Sequence, residues 1–148
     1  MPTNPLRLLA AAALAAGIFI GARMALGQDE PAPKDLRPAM RAAEAWLQTV
    51  DSGRYGVSWD DAAAIFQGAI PRLRWETTVQ GIRDSLGPVV ARKLRSATYA
   101  TVLPGAPEGE YVVIQFNTQF DKRPLSVETV TPMLQKDGSW KVSGYVIR

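Results

Sequence analysis

Neither cysteine nor histidine occurs in the 148 residues of this chain. Without cysteine there is no disulfide, no thiol nucleophile, no CxxCH haem attachment and no cysteine zinc site. Without histidine there is no Ser-His-Asp or Cys-His catalysis and no histidine-ligated zinc or iron within the chain. Acid–base chemistry would fall to carboxylates, tyrosine, lysine or arginine, which need burial to titrate near neutrality. Excess charge is scarce as well. The chain has 17 Lys+Arg and 14 Asp+Glu. Arg7 and Arg23 belong to the first 27 residues, which hold no acid. The remainder therefore has 15 basic against 14 acidic residues, a net of +1. That balance gives no electrostatic footprint for nucleic acid.

Long apolar stretches are also few. The outstanding one is Leu8 to Ala22, LLAAAALAAGIFIGA, with Arg7 before it and Arg23 after it. A basic start, a short apolar middle and small residues at Ala25 and Gly27 read as a signal peptide cleaved after Gly27. The run falls short of the roughly 20 residues that span a bilayer. The alternative is an inner-membrane anchor formed by residues 8–27, with Arg23 snorkelling. No cysteine follows the run, so a lipid-modified terminus is excluded. Residues 1–27 are thus the signal or anchor. Residues 28–35, QDEPAPKD, are a polar, proline-containing linker. Residues 36–148 form one domain, large enough for a core without staples. The expected location is periplasmic or extracellular.

Three helices are expected first. Met40, Ala43, Leu47 and Val50 recur at helical spacing beside Trp46, with Asp35 as a cap, Pro38 in the first turns and Gly53 at the end. Ser58 and Asp61 resemble a capping box that opens a short helix to about Gln67. Pro71 opens the third, with Trp75, Val79, Ile82 and Leu86 on one stripe. The period then changes. Lys93–Leu103, Tyr111–Phe120, Leu125–Gln135 and Ser139–Ile147 read as strands. In the second, Val112, Ile114, Phe116, Thr118 and Phe120 share a face. Asp137-Gly138 marks a hairpin. The fold class is α+β: three N-terminal helices packed on a curved four-stranded antiparallel sheet, preceded by a signal or anchor segment.

A two-residue turn at Asp137-Gly138 would pair Met133 with Val142, Thr131 with Gly144 and Thr129 with Val146. One face would then hold Val127, Thr129, Thr131, Met133, Trp140, Val142 and Val146. Its tryptophan assigns it to the core. The other would hold Glu128, Val130, Leu134, Lys141, Ser143, Tyr145 and Ile147, facing solvent or a partner. A bulge or longer turn would reverse one strand, and Pro132 is a place for one.

The block ETVTPMLQKDGSWKVSGYVIR, Glu128 to Arg148, resembles the C-terminal hallmark of a bacterial family known as domain of unknown function 4019. AAEAWLQTVDSGRYGVSWDDAAAIF from Ala42, Arg74-Trp75-Glu76 and LRSATYATVLPGAPEGEYVVIQF from Leu94 match in order. The resemblance implies an exported or envelope-associated protein. It implies no reaction and carries over no site residue. The element order also looks like the cystatin-like cone of nuclear-transport-factor-like and ketosteroid-isomerase-like proteins. That likeness implies a sheet wrapped around helices, a fold that hosts enzymes, binders and assembly subunits alike.

Several side chains then come forward as candidates. Thr118, Thr129, Thr131 and Trp140, expected to face inward, could meet a ligand, because buried hydroxyls need partners. Val130, Leu134, Tyr145 and Ile147 could form a partner or homodimer surface. Glu128, Tyr99 and Tyr145 are the types an acid–base enzyme would need, but the expected register puts Glu128 and Tyr145 on the mixed face, and Tyr99 reads as packing. Arg92, Lys93 and Arg95 read as edge-strand charges, and Asp60-Asp61 as helix capping. Trp46, Trp59 and Trp75 follow core stripes. No catalytic residue, metal or cofactor is assigned. The expected function is a non-catalytic exported module that binds a protein partner or a small apolar ligand. A carboxylate/tyrosine enzyme and a membrane-anchored assembly subunit are the alternatives.

Overall fold

The computed structural model describes residues 32–148. The expected signal or anchor and Gln28–Pro31 of the linker lie outside the described residues. Among the described residues, no helix is long and apolar enough to cross a membrane. The chain order is α1 (Arg37–Asp51), α2 (Tyr55–Asp60), α3 (Ala64–Ala69), α4 (Arg72–Leu86), β1 (Val89–Ala100), β2 (Tyr111–Phe120), β3 (Arg123–Leu134) and β4 (Trp140–Ile147). The strands form one antiparallel sheet in sequence order. The helices cover one of its faces, so the expected α+β class holds.

Helix α1 has Leu36, not the expected Asp35, at its N-cap position. Asp35, one residue earlier, accepts a hydrogen bond from Arg37 N–H at 3.0 Å, and Pro38 lies in the first turn, where a missing N–H costs little. The helix buries Ala39, Ala43, Trp46, Leu47 and Val50. Gly53, at φ 74°, turns the chain out of it. The middle helical stretch is split in two, and Ser58 does not cap it. Ser58 is buried within α2. Its hydroxyl donates to Tyr55 O at 2.7 Å and accepts from Trp75 Nε1 at 3.0 Å. Its carbonyl accepts from Trp46 Nε1 at 2.8 Å. Between α2 and α3, Ala63 N–H turns away to Val142 O on β4, at 2.8 Å. A backbone donor used to dock on the sheet cannot also continue a helix. Gln67 Nε2 then donates to Trp59 O and Asp60 O at the end of α2.

The main core lies between the helices and the inner sheet face. Trp46, Phe66, Trp75 and Tyr145 meet edge-on or tilted, with ring centroids 4.9–6.4 Å apart. Val112, Ile114, Phe116 and Phe120 are buried from β2, on the face expected for them.

The β3–β4 register corrects one expectation. The turn is longer than two residues: Gln135 N–H bonds Ser139 O at 2.7 Å, leaving Lys136, Asp137 and Gly138 in the loop, with Gly138 at φ 84°. A bulge at Ser143 then adds one residue to β4, between the pairs Pro132–Val142 and Thr131–Gly144. The two departures cancel, so Thr131–Gly144 and Thr129–Val146 pair as expected. The faces do not follow. Trp140 and Val142 sit inward before the bulge, and Tyr145 and Ile147 sit inward after it. Tyr145 pairs with Val130 and Ile147 with Glu128. The buried face of β3 is therefore Glu128, Val130 and Pro132, and Thr129 lies on the opposite, open face.

Gly87, after α4, has φ 75° and ψ −176°, a region essentially restricted to glycine. A Cβ there would stand 3.1 Å from Asp121 Cβ. Gly87→Ala should lower unfolding stability by about 1–3 kcal/mol. Gly81→Ala, within α4 and with nothing within 4 Å, should raise it by about 0.4–1 kcal/mol. Chemical denaturation of both variants checks the contrast.

Candidate functional site: a buried charged centre

The inner sheet face carries one ionised centre, and its middle is Glu128, which is fully buried. Glu128 Oε1 accepts from Arg92 Nε at 2.7 Å and from Thr118 Oγ1 at 2.6 Å. Oε2 accepts from the Tyr145 hydroxyl. Arg92 reaches outward with its other two nitrogens and grips both oxygens of Asp51, at 2.7 and 3.0 Å. Arg83 also pairs with Asp51, and its Nη1 stands 3.8 Å from Glu128 Oε2. The Arg83 guanidinium lies over the Phe120 ring, 5.1 Å from its centroid.

Each element delivers its group for a local reason. Asp51 ends α1, where Asp-Ser-Gly stops the helix. Arg83 is four residues after Val79 and eight after Trp75, so it shares their buried stripe on α4. Arg92 faces inward because a bulge at Val90 resets the alternation of β1. Thr118 and Glu128 belong to the inward sets of β2 and β3. The Tyr145 ring packs 5.2 Å from that of Trp46, which aims its hydroxyl at Glu128.

Two carboxylates and two guanidiniums leave the centre neutral. Burial opposes the charge on Arg92, and its bonds to Asp51 and Glu128 more than offset that, so its pKa is raised. Burial, and then the charge of Glu128, push the Tyr145 phenol well above its ordinary range. Tyr145 is therefore a neutral donor. Three donors hold the Glu128 carboxylate, and one buried donor, Arg83 Nη1, has no hydrogen-bond partner. Oε1 already has two donors and Oε2 has the phenol, with Arg83 beside it.

The sequence candidates are redistributed accordingly. Thr118 is buried and spent on Glu128. Thr131 is buried on the other side of the sheet, where its carbonyl accepts from Ser143 Oγ at 2.8 Å. Thr129 is half-buried on the open face, and Trp140 is half-buried against the core. These four do not come together as one ligand pocket. Val130, Tyr145 and Ile147, expected at a partner surface, lie in the core, and Leu134 is half-buried. The face reversal at Ser143 is the cause. Arg92, expected as a solvated edge charge, is engaged in the interior, whereas Lys93 and Arg95 are exposed. Tyr99 is half-buried and donates to Glu110 at 2.8 Å, and Lys34 both bonds Glu110 and sits over the Tyr99 ring. Asp60 and Asp61, expected to cap a helix start, lie at the end of α2, and Asp60 pairs with Arg72 at 3.1 Å. Asp51 and Arg83 were missed. The signal for Arg83 was its place on the apolar stripe; Asp51 had none beyond its helix end.

A family model described as "Protein of unknown function (DUF4019)" matches residues 42–145. The chain belongs to that family. Asp51, Arg83, Arg92, Thr118, Glu128 and Tyr145 of this DUF4019 protein all fall within the matched span. No curated protein matches the sequence.

Removing one partner from a buried ion pair strands the other. Glu128→Gln should therefore cost about 3–5 kcal/mol of unfolding free energy, measured by denaturant titration. Tyr145 adds a pH dependence. Its folded pKa lies above the unfolded value of about 10. Its contribution is complete below that value and is lost as pH rises through the folded pKa, because only the unfolded chain releases the proton readily. Stability measured above pH ~10 should fall less steeply in Tyr145→Phe than in the parent.

Proposed function

We propose that this DUF4019 protein is an exported, non-catalytic binding module of the bacterial envelope. On this reading the charged centre is a structural clamp and the open face of the sheet is the working surface. The observation that carries it is the complete burial of Glu128 among three donors of its own chain. A general base must come within hydrogen-bond reach of a substrate proton. The Glu128 side chain has no solvent exposure, and its oxygens accept from Arg92, Thr118 and Tyr145. The tyrosine that would serve as the acid is committed to the same carboxylate. Export is supported by the basic, apolar and small-residue pattern of residues 1–27.

The absence of native cysteine makes the test direct. Asn117 is exposed on the outer face of β2, and Gln48 is exposed on α1. Asn117→Cys and Gln48→Cys, each bearing a thiol-linked photo-crosslinker, are returned to native envelope. The Asn117 probe should give a discrete adduct on a chain whose N-terminus is Gln28, and the Gln48 probe should not. Equal labelling from both positions, or none from Asn117 in a folded chain, would contradict the binding face. A chain retained in the cytoplasm would contradict export.

A further inference from the structure

The charges of this domain are sorted by side. Glu128 is the one acidic residue in the four strands, and it points inward. The other acids from Asp35 onward lie in the helices, in the segment before α1 and in the loops. The side chains of the open sheet face thus include cations and no carboxylate. Lys93 pairs with Asn117, Asn117 with Val127, and Val127 exchanges both backbone hydrogen bonds with Arg148, at 2.8 and 2.9 Å. Lys93, Asn117, Val127 and Arg148 therefore form one rung straight across the sheet, with a cation at each end. Among the described residues, no hydrogen bond or ion pair engages either cation's side chain. The next rung, Ser96, Gln115, Thr129 and Val146, has no charge at its paired positions, and the exposed Arg95 is the extra residue beside Ser96.

The sheet is shaped at this rung. Val90 is an extra residue on β1, and one extra residue lies on β3 between Arg123 and Ser126, both at the Phe120 end of β2. Paired bulges bend the flanking strands and increase their twist. They border an open trough of about 530 Å³ whose lining includes Lys93, Asn117, Gln119, Leu125, Val127 and Arg148. Leu125 stands 88% exposed at its end.

We infer that this trough docks an extended acidic segment of a partner polypeptide, laid across the strands with carboxylates on Lys93 and Arg148. The inference rests on the binding-module reading and names the partner's chemistry. Three interstrand gaps separate the two cations by about 14 Å. An extended chain advances about 3.4 Å per residue, so carboxylates four positions apart match that span and share a face. Asn117 and Gln119 offer both donors and acceptors to peptide groups in between. Leu125 and Val127 give an apolar contact for a side chain of the segment.

The probe is an end-capped peptide with glutamates at positions i and i+4 in a serine–threonine background, titrated into the full chain by NMR. The side-chain amide signals of Asn117 and Gln119 should shift. Affinity should fall when salt rises from roughly 0.01 M to 1 M, over which the screening length drops from about 30 to 3 Å. Lys93→Glu with Arg148→Glu should weaken binding about fivefold or more, the scale set by two exposed ion pairs. The melting temperature should hold, because both side chains are exposed. Lys93→Gln with Arg148→Gln, a milder change, should weaken binding in the same direction. A glutamine-substituted peptide should not bind. Three results would overturn the inference: no shift at Asn117 and Gln119, affinity unchanged in both double variants, or binding to phosphatidylglycerol vesicles in place of the peptide. If the peptide fails while the Asn117 crosslinker still captures a partner, the binding face stands and its acidic chemistry falls. If both fail, the binding-module reading falls too.

Discussion

A carboxylate buried where water cannot reach it constrains everything around it. Glu128 would cost several kcal/mol to bury alone. The fold meets that cost with groups drawn from the three other strands and from both long helices. Arg92 comes from β1, Thr118 from β2, Tyr145 from β4, Asp51 from α1 and Arg83 from α4. No partial assembly supplies all of them. A sheet without its helices leaves Arg92 without Asp51. Helices without the sheet leave Arg83 without Glu128.

This centre acts on specificity more than on net stability. Buried ion pairs often do no better than well-packed apolar groups of the same volume. What they do is penalise alternatives. Slipping β3 by one residue would turn Glu128 to the open face and bring Thr129 inward. It would also leave Arg92 Nε, the Thr118 hydroxyl and the Tyr145 phenol without the oxygens that accept from them. The cluster of Trp46, Phe66, Trp75 and Tyr145 supplies apolar burial, and the charged centre selects one register for it. Tyr145 joins the two, with its ring among the indoles and its hydroxyl on the carboxylate. The inner face is thereby occupied, and the outer face is what the domain can offer to another molecule.

Much of this was legible in the residues. Alternation in Tyr111–Phe120 gave the inward set of β2. The helical spacing of Trp75, Val79 and Leu86 gave the buried stripe of α4, and the same spacing carried Arg83 with it. Other features depended on events that periodicity does not record. The bulge at Ser143 turns Tyr145 and Ile147 inward on the same side as Trp140. A count of apolar residues on each face therefore chose the wrong face for Glu128. The bulge at Val90 likewise brings Arg92 inward, where its neighbours Lys93 and Arg95 suggested a solvated edge. Ser58 reads as a helix cap until two indoles are seen to need its hydroxyl and carbonyl. Glu128, Arg92 and Ser58 are polar residues with partners distant in sequence.

Asp51 and Glu128, which do not touch, act as one unit through the arginines they share. A double-mutant cycle of Asp51→Asn and Glu128→Gln, read as unfolding free energy, measures this directly. Coupling between the two substitutions of about 0.5–3 kcal/mol is predicted. Losses that simply add, within about 0.3–0.5 kcal/mol, would show the two carboxylates to be independent and would contradict it.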